Sequence, residues 1–224
     1  MDNLVQKLVA ADSDETGVKR VNDAERTRAE ILSAAIQEFG EKGLAGARID
    51  EIAAATRTSK RMIYYYFGSK VGLYLAALEA SYGDTRDGEL ALQLDNMEPE
   101  AALRTLTTVT FDHHLQNENY VRMVMAENIN RGRYLAQSQH IQELNRPAIT
   151  LIGAIYERGV AKGVFRTGLD PADIHASISA LTFFNVSNRH TFGLIFNQDI
   201  GSPSYIAKRR ENIVQMVLRY VKQL

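Results

Sequence analysis

The chain has 224 residues, 45% of them hydrophobic and 24% charged, which leaves room for a substantial hydrophobic core. It has no cysteine, so disulfides and thiolate metal sites are excluded. The net charge is −1, no apolar run approaches the roughly 18–20 residues needed to cross a bilayer, and the N-terminus lacks the pattern of a signal peptide, so we expect a cytoplasmic protein without membrane contact.

Charge is distributed unevenly along the first third of the chain. Residues 1–17 hold one cation and four anions, which gives a net charge of −3 and predicts a flexible acidic lead over residues 1–21. Residues 18–70 hold ten cations and seven anions, a net charge of +3. The positive balance alone indicates either a nucleic-acid surface or an ordinary solvated face.

Almost every later segment has the periodicity of a helix. In the first third, helices are predicted from Asn22 to the glycines Gly40 and Gly43, over Ile49–Thr56 and over Ser59–Phe67. A longer helix is predicted to run to about Leu92, and further helices over 99–116, 118–130, 133–163, 171–192 and 203–223. Pro147 predicts a kink or break within one of them. The pattern indicates a small three-helix head followed by a larger helical body.

The segment Thr58–Lys70 reads TSKRMIYYYFGSK and carries the main functional signal. A helix advances about 100° per residue, so one side of this segment holds Lys60, Arg61, Tyr64 and Tyr65. The opposite side holds Met62, Ile63, Tyr66 and Phe67, which we expect to face the core. Core packing alone does not explain two cations beside two tyrosines on the exposed half.

The start of this helix also suggests an anionic partner. Ser59 is a suitable N-cap, which leaves Lys60 and Arg61 at a helix end where the macrodipole disfavours cations by a few tenths to about 1 kcal/mol. Duplex DNA would neutralise that end, because a recognition helix enters the major groove with its N-terminal residues on the base edges.

The run from Arg26 to Leu78 resembles the DNA-binding head of the TetR family of transcriptional regulators. The resemblance is carried by ILSAAIQEFGEKG, by IDEIAAATRTSKRMIYYYFGSK and by VGLYLAAL. It implies an all-α fold, with a helix-turn-helix DNA-binding domain at residues 22–70 and a helical effector-binding and dimerisation domain at residues 71–224. It also implies a homodimer, normally a repressor, that binds a pseudo-palindromic operator in double-stranded DNA.

The resemblance assigns DNA contacts to positions that match the family motif. These are Arg48, Ser59, Lys60, Arg61, Tyr64, Tyr65, Tyr66 and Lys70, to which we add Arg57 as a possible phosphate contact. Tyr66 lies between the two faces and leans inward.

Two positions depart from the family pattern. Arg57 stands where the family usually has a glycine, at a cost of about 1–2 kcal/mol if the backbone there stays left-handed. Two outcomes are open: the turn is remodelled, or Arg57 offsets the strain by contacting a phosphate. Ala47 stands where a threonine commonly caps the second helix, so one hydrogen bond at that helix start is expected to be lost.

The body offers candidates for a small-ligand site in the polar residues interspersed on its apolar faces. The predicted pocket residues are His113, Tyr120, Met123, Val124, Asn128, His175, Ser179, Phe183, Phe184 and Asn188. Such walls suit an aromatic or heteroaromatic effector, and an inward-facing arginine would suggest a carboxylate. For any single residue, ordinary burial or surface exposure is the commoner explanation.

The last two predicted helices carry the expected dimer interface. The predicted residues are Ala176, Ala180, Ile206, Ile213, Met216, Val217 and Tyr220. The alternative for these positions is burial within one subunit.

Two other functions remain open. The first is a DNA-binding regulator that a protein or polymer partner controls, and a closed body without an internal cavity would favour it. The second is a helical enzyme, for which the sequence offers no Glu-x-x-His pair and no metal site. We therefore expect no cofactor, no metal and no catalytic residue.

Overall fold

The chain folds almost entirely into helices. The computed structural model describes the backbone of residues 2–223 and the side chains of residues 23–223. Over this range there are ten α-helices and no strand: α1 (Asp2–Gly46), α2 (Ile49–Ala55), α3 (Lys60–Phe67), α4 (Lys70–Leu90), α5 (Pro99–Gln116), α6 (Glu118–Ile129), α7 (Gln139–Ala161), α8 (Pro171–Ser187), α9 (Arg189–Phe196) and α10 (Pro203–Val221). The predicted all-α class is confirmed, and no helix in the described residues is long and apolar enough to span a membrane.

Helix α1 begins well before the predicted start at Asn22. Its backbone is helical from Asp2, and only Gly43 leaves the helical region, with φ 65° and ψ 171°. The side chains of residues 1–22 lie outside the described residues, so the flexible acidic lead stays a prediction. Gly43 ends the regular helix as expected, whereas Gly40 continues it.

Two other boundaries differ from the sequence prediction. The helix predicted over 171–192 is divided at Asn188 into α8 and α9. Of the kink or break predicted at Pro147, the break is absent, because α7 continues through this residue. A proline inside a helix removes one N–H donor, and the rest of this long helix, which buries residues on both sides of Pro147, keeps its helical conformation.

The described residues pack into two compact units, divided after Ala77 within α4. We call the first unit the head and the second, from Leu78 onward, the body. The predicted domain boundary after Lys70 stays a prediction.

The head is built around one small apolar core. Its buried side chains come from α1 to α4 and include Ile31, Ala35, Phe39, Ile52, Ile63, Phe67, Leu73 and Tyr74. The rings of Phe39 and Tyr74 meet edge to face with centroids 5.1 Å apart. This core fixes α3 with one side buried and the other side at the surface.

The body core lies between α5, α7, α8 and α10. It is formed by buried leucine, isoleucine and valine side chains together with Tyr156 and Phe165. A second, smaller cluster surrounds Tyr120 and Val121 of α6 and Val186 of α8, with Tyr82 and Phe183 packed against it. The cavity described below lies beside this second cluster.

The loop after α7 is tied to the end of α10. Phe165 and Lys222 form an antiparallel bridge, and the Arg166 N–H donates to the Val221 carbonyl at 2.9 Å. Phe165 is buried against Gly159, where an added Cβ would lie 1.9 Å from the phenyl Cδ2. Gly159 therefore leaves the space that the Phe165 ring fills.

Replacing Gly159 by alanine should destabilise the body by about 1–3 kcal/mol, because the buried ring has to move. Gly153→Ala, on the same helix, is the matched control, since its new Cβ would meet only Pro171 at 3.6 Å. Both substitutions gain the same helix propensity, so urea denaturation should show Gly153→Ala at or above wild-type stability and Gly159→Ala below it. Equal midpoints would contradict the predicted clash.

Candidate nucleic-acid interface and body cavity

The predicted contact face of α3 lies at the surface of the head. Lys60, Arg61, Tyr64 and Tyr65 are exposed, Tyr65 to 78%, while Ile63 and Phe67 are buried. Two cations and two phenol groups are therefore presented together on one side of a helix. This is the arrangement that contacts phosphates and base edges in a major groove.

The remaining two residues of α3 behave differently from each other. Met62, expected in the core, is 36% exposed, so that assignment is wrong. At about 200° from Lys60 it lies at the edge of the buried sector rather than inside it. Tyr66 is half-buried, and its ring contacts those of Tyr65 and Phe67 with centroids 5.4 Å and 6.2 Å away.

The N-terminus of α3 is capped as the sequence predicts. The Ser59 hydroxyl accepts a hydrogen bond from the Met62 N–H at 3.2 Å. No acidic residue lies in the first turn of the helix. Lys60 instead forms an ion pair with Asp50 of α2, and the Arg48 guanidinium lies 3.8 Å from the same carboxylate. The head thus supplies a carboxylate of its own to the cationic end of α3.

Arg48 and Lys70 are anchored through groups of α1. Glu38 accepts from the Arg48 N–H at 2.9 Å, and α2 begins after Arg48 without a side-chain cap. Burial raises the pKa of Glu38, but hydrogen bonds from Lys42 and Arg48 outweigh it and lower the pKa overall. Lys70 reaches the Ala45 carbonyl at 3.4 Å. The Arg48 backbone and the Lys70 ammonium are therefore each held by a hydrogen bond to α1.

Arg57 has the left-handed backbone that its position suggested, with φ 53°. The Thr58 N–H donates to Ala53 and the Arg57 N–H donates to Ala54, which is the hydrogen-bond pattern of a Schellman motif at the end of α2. Glycine is preferred at this position because an L-residue with a Cβ is strained there. The Arg57 side chain is exposed.

The body contains a cavity of about 200 Å³. Its walls come from α4 to α8: Tyr82, Thr85, Arg86, Glu89, Leu106, Thr110, His114, Tyr120, Val124, Asn145, Ala148, Ile152, His175, Ile178, Ser179 and Phe183. An apolar cavity with a few convergent polar groups is the usual form of a small-ligand site.

Aromatic rings form one wall of the cavity. His114 lies nearly parallel to Tyr120, with an interplanar angle of 22° and centroids 6.2 Å apart, and meets Phe183 edge to face at 5.5 Å. Tyr82 packs edge to face on Tyr120 at 5.3 Å. The rings hold one another in place, so the wall is preformed.

An ion pair lies in the polar part of the lining. The Arg86 guanidinium donates to Glu89 Oε2 at 2.6 Å, and the two side chains are only 10% and 11% exposed. Arg86 Nε is buried and has no hydrogen-bond partner within the described residues. Burial raises the pKa of Glu89, and the Arg86 charge opposes this effect.

The histidines around the cavity are held neutral. Burial, together with the charges of His113 and Arg86, lowers the pKa of His114 to about 4. Burial and the Arg86 charge also lower the pKa of His113 and of His175. Arg86 is therefore the permanent cation of the cavity, and it affects every histidine near it.

His113 supports the wall from behind rather than lining it. The Thr85 hydroxyl donates to the Ser81 carbonyl at 3.0 Å, so it accepts from His113 Nε2 at 2.9 Å. His113 Nδ1 is then the acceptor for the Asn117 amide at 3.2 Å. This network fixes one tautomer of the imidazole.

The structure divides the ten predicted pocket residues into two groups. Tyr120, Val124, His175, Ser179 and Phe183 line the cavity. His113, Met123, Asn128, Phe184 and Asn188 do not: Met123 is fully buried, Asn128 and Phe184 are exposed, and Asn188 precedes α9. These five lie on faces of their helices other than the faces that line the cavity.

Sequence reasoning missed the whole contribution of α4 and α7. Tyr82, Arg86 and Glu89 recur at i, i+4 and i+7, so they share one face of α4. A helix face that mixes a tyrosine with an arginine–glutamate pair three residues apart is a detectable signal. Asn145 on α7 gave no comparable signal.

The predicted dimer residues are also divided. Ala176, Ala180 and Met216 are exposed, and Ile206 and Tyr220 are half-buried. Ile213 and Val217 are buried in the monomer, so assigning them to the dimer interface is wrong. Val217 belongs to the body core together with Val214 and Leu218 of the same helix.

Sequence comparisons place both parts of the chain in one family. Residues 31–77 match the model described as "Bacterial regulatory proteins, tetR family". Residues 99–217 match "Tetracyclin repressor-like, C-terminal domain".

Two curated relatives extend over most of the chain. The HTH-type transcriptional repressor NicS of Pseudomonas putida is 35% identical over 208 residues, which are 93% of this chain and 98% of NicS. The HTH-type transcriptional repressor SCO4008 of Streptomyces coelicolor is 30% identical over 152 residues, 68% of this chain and 74% of the relative.

Solved structures show the same fold. A bacterial regulatory protein of the tetR family from Rhodococcus RHA1 aligns with a TM-score of 0.69 at 20% identity, over 88% of this chain and 98% of its own. The hemolysin II transcriptional regulator HlyIIR aligns with a TM-score of 0.58 at 22% identity, over 90% and 99%.

Replacing Arg57 by glycine should stabilise the protein by about 1 kcal/mol, because glycine adopts the left-handed region without strain. Arg57→Ala is the matched control, since it removes the guanidinium but keeps the Cβ. Urea denaturation should place the midpoint of Arg57→Gly above those of wild type and Arg57→Ala. A gain of the same size in Arg57→Ala would mean that the side chain, not the backbone, is the source of the strain.

Proposed function

Because the chain belongs to the TetR family of transcriptional regulators, we propose that it is a homodimeric repressor that a small molecule in the body cavity releases from a pseudo-palindromic operator. The main support for the DNA-binding part of this proposal is the exposed face of α3. That face holds Lys60, Arg61, Tyr64 and Tyr65, while Ile63 and Phe67 on the other side of the helix are buried. Repression is supported by NicS, which is itself named a repressor.

Phosphate contacts from residues around α3 would fix the head on the duplex. Arg48, whose backbone N–H bonds Glu38, and Lys70, whose ammonium bonds the Ala45 carbonyl, flank the helix. Arg57 presents an exposed guanidinium at the end of α2. Contacts of this kind set register and give salt-dependent affinity, whereas base contacts from α3 give specificity. Ser59 and Tyr66 serve as supporting contacts at the edges.

A second copy of the chain is the best occupant for the outer face of the body. Ala172, Ala176, Ala180 and Phe184 repeat every four residues along α8, and all four are exposed. Small side chains in such a row allow two helices to approach closely. Exposed apolar side chains also lie on the two helices that contact α8 there: Leu194, Ile195 and Phe196 of α9 and Met216 of α10. A two-fold dimer would present two α3 helices to half-sites about 34–36 Å apart.

The cavity favours a small-molecule effector over control by a protein or polymer partner. It is bounded by five helices and lined by polar side chains within an apolar wall. One of those helices, α4, is continuous from Lys70 to Leu90, so the helix that carries Lys70 also carries Arg86. A ligand that binds one position of α4 more tightly than another would shift the head between DNA-binding states.

Tyr64→Ala and Lys70→Ala should each weaken operator binding by about 1–3 kcal/mol without lowering thermal stability. Lys70→Ala should also reduce by about 1 the slope of log K for binding against log salt concentration, because one phosphate contact is lost. Lys208→Ala removes an exposed cation from the body and is the matched control. Fluorescence anisotropy with operator DNA across a salt series measures all three.

Ile63→Asp tests the face assignment from the buried side. A carboxylate in the head core should unfold the head, so melting and DNA binding should fail together. If Tyr64→Ala and Ile63→Asp had the same effect on stability, the assignment of the two faces of α3 would be overturned.

Ala180→Glu should shift the protein toward monomer, because it places a charge in the centre of the row of small residues on α8. Ala101→Glu is the matched control on an exposed alanine of α5. Sedimentation velocity over a concentration series should show a weaker dimer for Ala180→Glu alone. An unchanged dimer would place the interface elsewhere.

A further inference from the structure

We infer that the body cavity takes a small aromatic monocarboxylate, whose carboxylate bonds the Arg86 guanidinium in the place that Glu89 occupies. This inference rests on the proposed function, because it names the chemical class of the effector.

The size of the cavity limits the ligand to one ring. A dry cavity of about 150 Å³ is large enough to hold benzene, so about 200 Å³ holds a ring with one small polar substituent. The preformed wall of Tyr82, His114, Tyr120 and Phe183 offers edges and faces to a planar ring. A flat, single-ring compound fits both limits.

The charges of the cavity favour an anionic substituent. Arg86 is always protonated, whereas His114 and His175 are kept neutral. Glu89 is the one carboxylate among the described lining residues, and burial raises its pKa, which favours the protonated form. The lining therefore ranges from neutral to singly positive, so it favours an anion over a cation.

The guanidinium has donors left for such an anion. One terminal nitrogen, Nη1, bonds Glu89 at 2.6 Å. A carboxylate can accept from two guanidinium N–H groups at once, and the two terminal nitrogens Nη1 and Nη2 form one such fork. A ligand carboxylate in the place of Glu89 would accept from both of them, so Glu89 stands in for it in the free protein.

Displacing Glu89 from Arg86 couples ligand binding to a proton. Without its cation, the buried Glu89 carboxyl has a still higher pKa, so it takes up a proton as the ligand binds. The charged or titratable groups that share its cavity are Tyr82 and Arg86 from α4, His114 from α5 with His113 behind it, Tyr120 from α6 and His175 from α8; α7 contributes the uncharged Asn145. Affinity should therefore fall as pH rises through the window between the two Glu89 pKa values.

Benzoate and its neutral counterpart benzamide test the inference on the full-length protein by isothermal titration calorimetry. Wild type should bind benzoate at least about tenfold more tightly than benzamide, and titrations in buffers of different ionisation enthalpy should reveal proton uptake. Between about pH 6 and pH 8 benzoate stays ionised, so any loss of affinity reports on the protein.

The Glu89→Gln variant shows whether Glu89 occupies the place of the ligand carboxylate or only forms a structural ion pair with Arg86. It removes the competing carboxylate but keeps the arginine, so benzoate should bind about tenfold more tightly, without proton uptake and with no dependence on pH in that range. Weaker or unchanged binding of benzoate would overturn the displacement.

Arg86 is tested in a background that leaves no buried charge unpaired. The double variant Arg86→Gln, Glu89→Gln should lose the preference for benzoate over benzamide and bind the two alike. A retained preference would show that another group receives the carboxylate.

Operator release distinguishes this inference from the proposed function. If benzamide binds as well as benzoate, or if benzoate fails to bind wild type at millimolar concentration, the carboxylate class is wrong, and release of the operator by benzamide would still support an effector site. If benzoate binds with the expected pattern and operator affinity does not change, the ligand class stands and the proposed coupling fails.

Discussion

The two ends of helix α4 lie in different environments, one apolar and one partly polar. Its first turns pack Leu73, Tyr74 and Ala77 into the apolar core of the head. Its later turns present Arg86 and Glu89 to the cavity of the body. The apolar part fixes the helix by close packing, which tolerates little displacement. The polar part is held by an ion pair, so under the proposed function a ligand would act on the helix at that end.

The buried charge of Arg86 sets the electrostatics of the whole cavity. A guanidinium cannot lose its proton, so everything near it must adjust instead. Burial lowers the pKa values of the neighbouring His113, His114 and His175, and the Arg86 charge lowers them further. Glu89 supplies the balancing charge, although burial disfavours its ionised form. Under the proposed function, the fixed charge of Arg86 therefore constrains ligand chemistry more strongly than the apolar walls do.

Periodicity predicted some features well because they depend on local geometry alone. The two sides of α3 and the Ser59 cap follow from spacing and turn chemistry within a few residues. The left-handed backbone of Arg57 was expected from the family resemblance, which has a glycine at that position. Met62 marks the limit, because a residue at the edge of a buried sector is placed by its neighbours in space. The cavity required knowledge of which helices meet, so five predicted residues faced elsewhere and α4 was overlooked. Ile213 and Val217 show the same limit: an apolar stripe indicates burial, but it does not say whether the covering surface belongs to the same chain.

The head and the cavity hold their cations in similar ways but with different strengths. In the head, Asp50 pairs with Lys60 at the start of α3, and the two side chains are 44% and 58% exposed. Exposed pairs of this kind contribute only about 0–1 kcal/mol, so a DNA phosphate can replace the carboxylate with little loss and with strong dependence on salt. In the cavity, the Arg86–Glu89 pair is shielded from water, and opening it without a replacement would leave a buried charge uncompensated. Exchange there requires a second carboxylate in the same position. Under the proposed function, the difference in burial therefore makes the head permissive toward a polyanion and the cavity selective for one small anion.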